Sequence, residues 1–543
     1  MKVWDRIRRN EAPAGPEGVQ VKVRSPQRPA ARPADIGRSM PSTLMLGVVL
    51  ATVFYVLAHI SIINGVWPVH GTSAGAGAML MRNAVALFTW LLVLLLLRWL
   101  GCRGKWAVVA LPVIIFCIAR PAQFQVFTDP VYQAARGARA EANTLKAQRS
   151  RLSTIERAYE EERKAVVFAG EVPPLPDPFA EVAARADRGA LLRSAAHLPI
   201  FVAPIALLLG FLWAREPREL RRLRERKRWP FFLTLAVFFV LTLFFTELGK
   251  VRGTTPWELF LPIFVLTWAA TLAEDAYNLA RPGAVMAPRR ILGLLIYGAL
   301  PVVPFLVIRE LGLSVVLAGT LAVMLLVGTR RGWWAALMLG VWAVLVIAAF
   351  NLDLRSATRL QLAYAPYKDL SQVENPERWA ASVHQIKLFD ANVLEGGIIG
   401  AGPGRGHAET APNAADDGYI TMIAAQYGWL GSLALVLLYT VFLVQMISVG
   451  IRERGAFERT VAVGLALLIA IPFWLATLGG LRVIPLTGVA AAFAGHGGAK
   501  LLASALAVGI IAGISHRRAV EERLTAAAGV PAAAQPAEGV RIV

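Results

Sequence analysis

Cysteine is nearly missing from this chain: Cys102 and Cys117 are the only two among 543 residues. One ends an apolar run and the other lies inside the next, which excludes a disulfide framework and any CxxC metal or redox site. Charge is scarce as well. Asp, Glu, Lys and Arg together make up 17% of the residues, against about 25% in soluble globular chains, and the acids are the scarcer class, 36 against 56 basic residues. The opening stretch is polar and rich in Pro and Arg, with no apolar core of its own. A cleavable signal peptide is therefore not expected, and the N-terminus is expected to stay in the cytoplasm as a disordered tail.

What the chain has in quantity is apolar sequence, 56% by residue, more than one compact core can hide. Long uninterrupted runs recur, and a membrane-crossing helix needs about 20 such residues. The expectation is an all-α polytopic membrane helix bundle with about twelve spans, near 43–63, 83–101, 105–119, 196–213, 230–248, 257–273, 291–308, 311–327, 332–350, 419–447, 459–478 and 495–515. The corresponding organisation is a cytoplasmic tail (1–42), N-terminal spans (43–119), an extracytoplasmic helical insertion (120–195), further spans (196–350), a large extracytoplasmic loop (351–417), C-terminal spans (418–516) and a cytoplasmic tail (517–543). Within the insertion, Leu145, Leu152, Tyr159 and Val166 recur at one helical face, either packing on the protein itself or docking a partner.

The net charge of +20 would point to a nucleic-acid partner in a soluble chain. Assigned to alternate sides of the twelve spans, nearly all of the excess falls on the N-terminal side, with the run REPRELRRLRERKR (215–228) dominating. This is the positive-inside pattern, and it leaves no nucleic acid to be inferred. The opposite side carries the 351–417 loop, where acids outnumber bases.

A chain without a soluble domain must do its chemistry at span ends and outer loops, where ionisable groups are costly and functional by default. Glu247, Glu258, Arg309, Glu310 and Lys500 qualify, together with the loop QIKLFDANVLEGGIIGAGPGRGHAETAPNAADDGYITM beginning at Gln385. Its GGIIGAG stretch, with Gly397, Gly400 and Gly402, lets the backbone turn tightly or approach a ligand. Glu409, Asp416 and Asp417 follow, the last two directly before an apolar helix. There an Asp serves either as a helix N-cap or as a general base accepting a proton from a sugar hydroxyl.

The ordered blocks TPWELF (255–260), RELG (309–312), GGIIGAG (396–402), ETAPNAADDGYITMIAAQYGWLG (409–431) and PLTGVAAAFAGHGGAKLL (485–502) resemble those of the SEDS family of shape, elongation, division and sporulation proteins (FtsW-, RodA- and SpoVE-like). On that resemblance the C-terminal seven spans are family-like and five precede them. The resemblance implies a peptidoglycan glycosyltransferase that polymerises lipid II at the outer face of the cytoplasmic membrane. Asp417 takes the place of the family's essential Asp and Glu409 its upstream acid. Gln385, Gly397, Gly400, Gly402 and Glu310 fall on substrate-binding positions. Where the family has a basic residue after its PSE motif this chain has Leu261, and Arg252 or Lys500 would supply the positive charge. Pyrophosphate chemistry suggests Mg²⁺ or another divalent cation, with no metal ligands assigned. A class B penicillin-binding transpeptidase is the implied partner. Two other readings stay open from the sequence: a catalytically degenerate scaffold or regulator, and a flippase for lipid-linked oligosaccharide.

Overall fold

A computed structural model describes residues 40–72, 75–130, 198–248, 256–280, 294, 296–307, 311–350, 376–406, 411 and 414–527. The described residues contain helices and no strand. In chain order they are α1 (Ser42–Val69), α2 (Ala76–Trp99), α3 (Trp106–Thr128) and α4 (Leu198–Arg215), then α5 (Pro217–Glu225), α6 (Arg228–Leu248) and α7 (Leu261–Ala280). There follow α8 (Ile296–Phe305), α9 (Leu311–Thr329), α10 (Gly332–Phe350), α11 (Pro376–Gly396), α12 (Tyr419–Arg452), α13 (Ala456–Gly480) and α14 (Gly498–Ala527). Eight of these, α1–α4, α9 and α12–α14, are long and apolar enough to cross a membrane, and the described parts of α6, α7, α8 and α10 are shorter apolar helices.

Burial separates centre from periphery. In α3 and α14, 89% of the apolar window is buried, against 33% in α1 and 39% in α2 and α12. The side chains that α1, α2 and α12 leave exposed are large and apolar, such as Leu50, Phe88 and Leu437, as a lipid-facing surface requires. Helix α4 lies directly against α14, and glycine makes the approach feasible: a Cβ on Gly210 would stand 2.6 Å from Leu506 O, and one on Gly513 2.8 Å from Phe211 O. Gly509 meets the Leu207 backbone in the same way. Gly509 and Gly513 form a GxxxG pair, the small-residue spacing that brings membrane helices into backbone contact.

The structure corrects three expectations. Helix α3 does not stop at 119; it continues to Thr128, and Arg120, Gln123 and Gln125 are buried in it. These polar residues find partners inside the bundle, so they do not mark an exit from it. The eighth helical segment is interrupted at Leu300–Val302, where Pro301 removes an amide donor and clashes with the preceding turn. The loop that precedes α12 contains a full helix, α11, packed along α12. The expectations for 1–39, 131–197, 351–375 and 528–543 concern residues outside those described.

A cluster of basic residues gathers at one end. Arg103 N donates to His516 Nδ1 at 3.0 Å, Lys105 Nζ to Ser448 Oγ at 2.5 Å, and Arg517 pairs with Glu458 at 3.1 Å. Lys227 pairs with Glu274 at the same end. Burial, with the nearby positive charges of Arg452 and Arg518, lowers the affinity of Lys105 for its proton. Glu453, just past the end of α12, is pushed up to about 7 by burial against the pull of Arg518 and Arg517, with Glu458 and Glu521 adding to the rise.

Candidate functional site

At the opposite end of the same helices, two irregular segments enter the bundle. Backbone without regular structure is tolerated at membrane depth only where protein or a water-filled cavity surrounds it. The first segment, 397–406, is pinned to a break in α12. Gly428 has φ 68° and ψ −172° inside the helix, which frees carbonyls and amides on either side. Ala401 N donates to Ala425 O at 3.1 Å, Gly402 N to Gln426 O at 2.9 Å, Trp429 N to Gly397 O at 2.9 Å and Leu430 N to Ile398 O at 3.1 Å. Gly400 N is engaged as well, on Gly396 O at 2.7 Å. The amides a phosphate would need at 400, 401 and 402 are thus spent on holding the turn, and the glycines at Gly397, Gly400 and Gly402 act first as the residues that allow positive φ there.

The second segment, 481–497, links α13 to α14. Two non-glycine residues in it adopt left-handed backbone, Arg482 (φ 61°) and Phe493 (φ 63°), a conformation bulky residues adopt rarely and at a cost. Surrounding groups hold it. Tyr439 OH donates to Ala492 O at 2.8 Å and Gln123 Nε2 to Ala494 O at 2.7 Å. Phe493 packs beside Trp90 and Phe442, and the His496 ring lies 4.4 Å from that of Phe127. Arg482 is paired with Asp390 of α11.

Asp417 sits where these parts meet. It is buried, 8% exposed, in the turn before α12. The N-cap of that helix is Gly418, with no side-chain cap hydrogen bond, so neither Asp416 nor Asp417 serves as the cap. Four packing contacts fix the turn. His496 N donates to Ala415 O at 2.9 Å; Gly495 packs beside Asp416 O; Gly418 sits against the Phe389 ring of α11; Gly480 lies against Ile420. Gln385, half-buried, lies one helical turn before Phe389 on α11.

Two further sequence blocks converge here. Gly312 packs on Thr487 and Val489 of the second segment. Lys500 Nζ lies 3.4 Å from Glu258 Oε1, the two side chains only 3% and 6% exposed. Leu261, Pro262, Leu468 and Ser504 surround them. Lys500 is therefore matched by a carboxylate of its own chain, which corrects the expectation of a spare cation at that position. Arg252, Glu310 and Glu409 lie outside the described residues.

Sequence reasoning missed a polar chain running from the N-terminal helices to this site. His59 Nε2 and Asn83 Nδ2 are 3.0 Å apart; Arg120 donates to Asn83 Oδ1 at 2.9 Å and to Gln123 Oε1 at 2.6 Å. Gln426 Nε2 donates to Gln125 Oε1 at 2.7 Å, and Gln125 Nε2 to Gly406 O at 3.0 Å. Gln123 and Gln125 thereby reach both irregular segments. The available signal was RPAQFQ directly after an apolar run, since intramembrane polar residues are functional by default.

The divalent cation can be tested against the donors present. Among the described residues no group of three or more His, Cys, Asp or Glu converges, so no all-protein cage is built there. An ion such as Mg²⁺ that keeps its waters and takes one or two carboxylates plus substrate phosphates needs no such cage, and Asp416 and Asp417 would provide those carboxylates.

The fold and site together define a multi-pass α-helical membrane protein whose candidate chemistry lies on irregular segments at one end of the bundle. Residues 224–520 match the model of the FtsW/RodA/SpoVE family, described as cell cycle proteins. That is more than half of the chain, and the chain belongs to this family. It is 30% identical over 208 residues to the peptidoglycan glycosyltransferase RodA of Mycobacterium tuberculosis, covering 38% of this chain and 42% of that one. It is 27% identical over 307 residues to the probable peptidoglycan glycosyltransferase FtsW of Trichlorobacter lovleyi, covering 53% and 76%. The chain thus spans about two fifths of the length of the mycobacterial relatives it matches. Among solved structures, a chain from a study of polymerisation and crosslinking by a peptidoglycan synthase complex has 18% identity, covers 62% of this chain and 96% of its own, and gives a TM-score of 0.45. The rod shape determining protein RodA of Thermus thermophilus, also 18% identical, covers 62% and 94% with a TM-score of 0.37.

Proposed function

We propose that this protein is a peptidoglycan glycosyltransferase that polymerises lipid II, with Asp417 as general base. The observation that carries the reading is the buried carboxylate of Asp417 in a turn held by the second irregular segment, by α11 and by α13, at the end of the bundle opposite the cluster of basic residues. Asp417 takes the proton of the acceptor's sugar hydroxyl. The oxygen attacks the anomeric carbon of the donor, inverting it, and the bond to undecaprenyl pyrophosphate breaks. Mg²⁺ or another divalent cation, held beside Asp416 and Asp417, would neutralise the leaving pyrophosphate when bound. Glu409, Glu310 and Arg252 join the site on this reading, and Gln385 faces the substrate from α11.

The basic end faces the cytoplasm on the positive-inside rule. That orientation puts both termini inside, the site outside, and the protein in the bacterial cytoplasmic membrane. A class B penicillin-binding transpeptidase is the proposed partner that crosslinks the product. The test is polymerisation of purified lipid II by the purified protein and by Asp417→Asn. A general base contributes roughly 10²–10⁴-fold, so the variant, folded and inserted, is expected to lose polymer formation by at least about a hundredfold. Wild-type-like polymerisation by Asp417→Asn would sink the mechanism. Lipid II crossing vesicle membranes without polymer would favour the flippase reading.

A further inference from the structure

In the sequence the run 215–228 is a topology signal, yet the structure gives it a shape that topology does not require. It folds into the separate helix α5 between the ends of α4 and α6. Leu220 is fully buried and Leu223 partly so, which seats one face of α5 on the bundle. Lys227, also buried, pairs with Glu274 of α7 and locks the following turn. On the other side, Arg218, Arg221, Arg224, Arg226 and Arg228 are exposed. None of the five has an ion pair or hydrogen bond among the described residues, whereas Arg222 is taken by Glu219 at 2.5 Å and Arg215 lies 3.9 Å from Glu216. Glu225 is the remaining acid of the run and is exposed. Trp229 directly follows and is 81% exposed; Trp99 and Trp333, at the same end, are 82% and 52% exposed. Exposed tryptophans at helix ends mark the level of the lipid headgroups.

We propose that α5 and the turn after it form a docking surface for anionic phospholipid headgroups. Three points select this occupant. Both ends of α5 run straight into membrane-length or apolar helices, so its arginines are held at the headgroup level next to Trp229. The run holds seven Arg and one Lys, and the guanidinium fork matches phosphate oxygens two at a time. The five unpaired arginines outnumber the one exposed acid without an ion pair, Glu225, an excess complementary to an anionic leaflet; each basic residue near such a surface is worth about fivefold in affinity, corresponding to ~1 kcal/mol.

The test uses the full-length protein in nanodiscs of mixed phosphatidylglycerol and phosphatidylcholine, with the lipids that remain bound after extraction counted by mass spectrometry. Nanodiscs expose both faces of the bilayer, so a variant that inserts the other way round is still read. Wild type is expected to retain phosphatidylglycerol over phosphatidylcholine severalfold. High salt should erase that preference, and so should Arg218→Gln/Arg221→Gln/Arg224→Gln/Arg226→Gln. The same four positions changed to Lys should keep most of it. Equal retention by wild type and the Gln variant overturns the proposal. So does displacement of the lipid by inorganic phosphate at matched concentration, which would make this a phosphate site. Binding of duplex DNA without any phosphatidylglycerol preference would overturn it in favour of a nucleic acid. The wild-type salt series and the Lys variant decide the matter even where the Gln variant does not fold.

Discussion

Replacing Gly428 by Ala gives the sharpest test of how the candidate site is built. Gly428 holds φ 68° and ψ −172°, a region open essentially to glycine alone, where another residue is strained by on the order of 1–3 kcal/mol. A Cβ there would overlap the backbone of Ile398 and Gly400. Neither can withdraw without stretching the bonds Trp429 N to Gly397 O and Leu430 N to Ile398 O, each worth ~1 kcal/mol net. Strain and lost bonds together put the cost near 3–5 kcal/mol. Gly397→Ala is the internal control. Gly397 also has positive φ, 52°, but a Cβ on it meets nothing within 4 Å, leaving only the left-handed penalty of about 1–2 kcal/mol. Thermal unfolding of the purified variants in detergent, read beside lipid II polymerisation, separates the two. Gly428→Ala should unfold well before Gly397→Ala and lose polymer with it. Indistinguishable unfolding of the two would refute the pinning of 397–402 onto the helix break.

The buried pair of Glu258 and Lys500 should behave non-additively. Lys500→Met or Glu258→Gln alone strands a partner and is expected to cost ~3–5 kcal/mol, while the double variant recovers most of it; a double-mutant cycle in chemical denaturation would show the coupling, and additive losses would refute it. Glu453 sets a pH dependence. Its folded value of about 7 lies above the ordinary 4.5, so the folded state holds the proton more tightly, and stability present at low pH is lost as pH rises from near 4.5 through 7. Glu453→Gln should flatten the pH dependence of the unfolding midpoint across that window.

Much of the helical layout was legible because apolar runs of the right length leave few other solutions in a membrane. Eight of the twelve expected spans meet helices long and apolar enough to cross a membrane, and the other four, 230–248, 257–273, 291–308 and 332–350, meet shorter apolar helices among the described residues. What the runs concealed were features decided by contacts between distant residues. The continuation of α3 through Arg120 depends on Asn83 and Gln123 to satisfy the guanidinium, and composition alone makes that stretch look like an exit. The role of the GGIIGAG glycines depends on the break at Gly428 some thirty residues on, which no local pattern announces because the sequence on both sides remains helix-forming. Asp417, by contrast, was visible as a carboxylate immediately before an apolar helix, and Gly418 as the actual cap was not. The pairing of Lys500 with Glu258 joins residues far apart in the chain, so a cation that looked free in the sequence is matched in space.

The close seating of α4 on α14 through Gly210, Gly509 and Gly513 bears on how the molecule is made. Helix α14 is delivered after every other described helix, yet it is the wall against which α4 closes, and it also carries Lys500. During synthesis the Gly210 face of α4 therefore waits in lipid for α14, the last of the described helices to be made, and the site at the opposite end stays unfinished until it is in place. Among the described helices, assembly of the bundle and completion of the candidate site both wait on the insertion of α14.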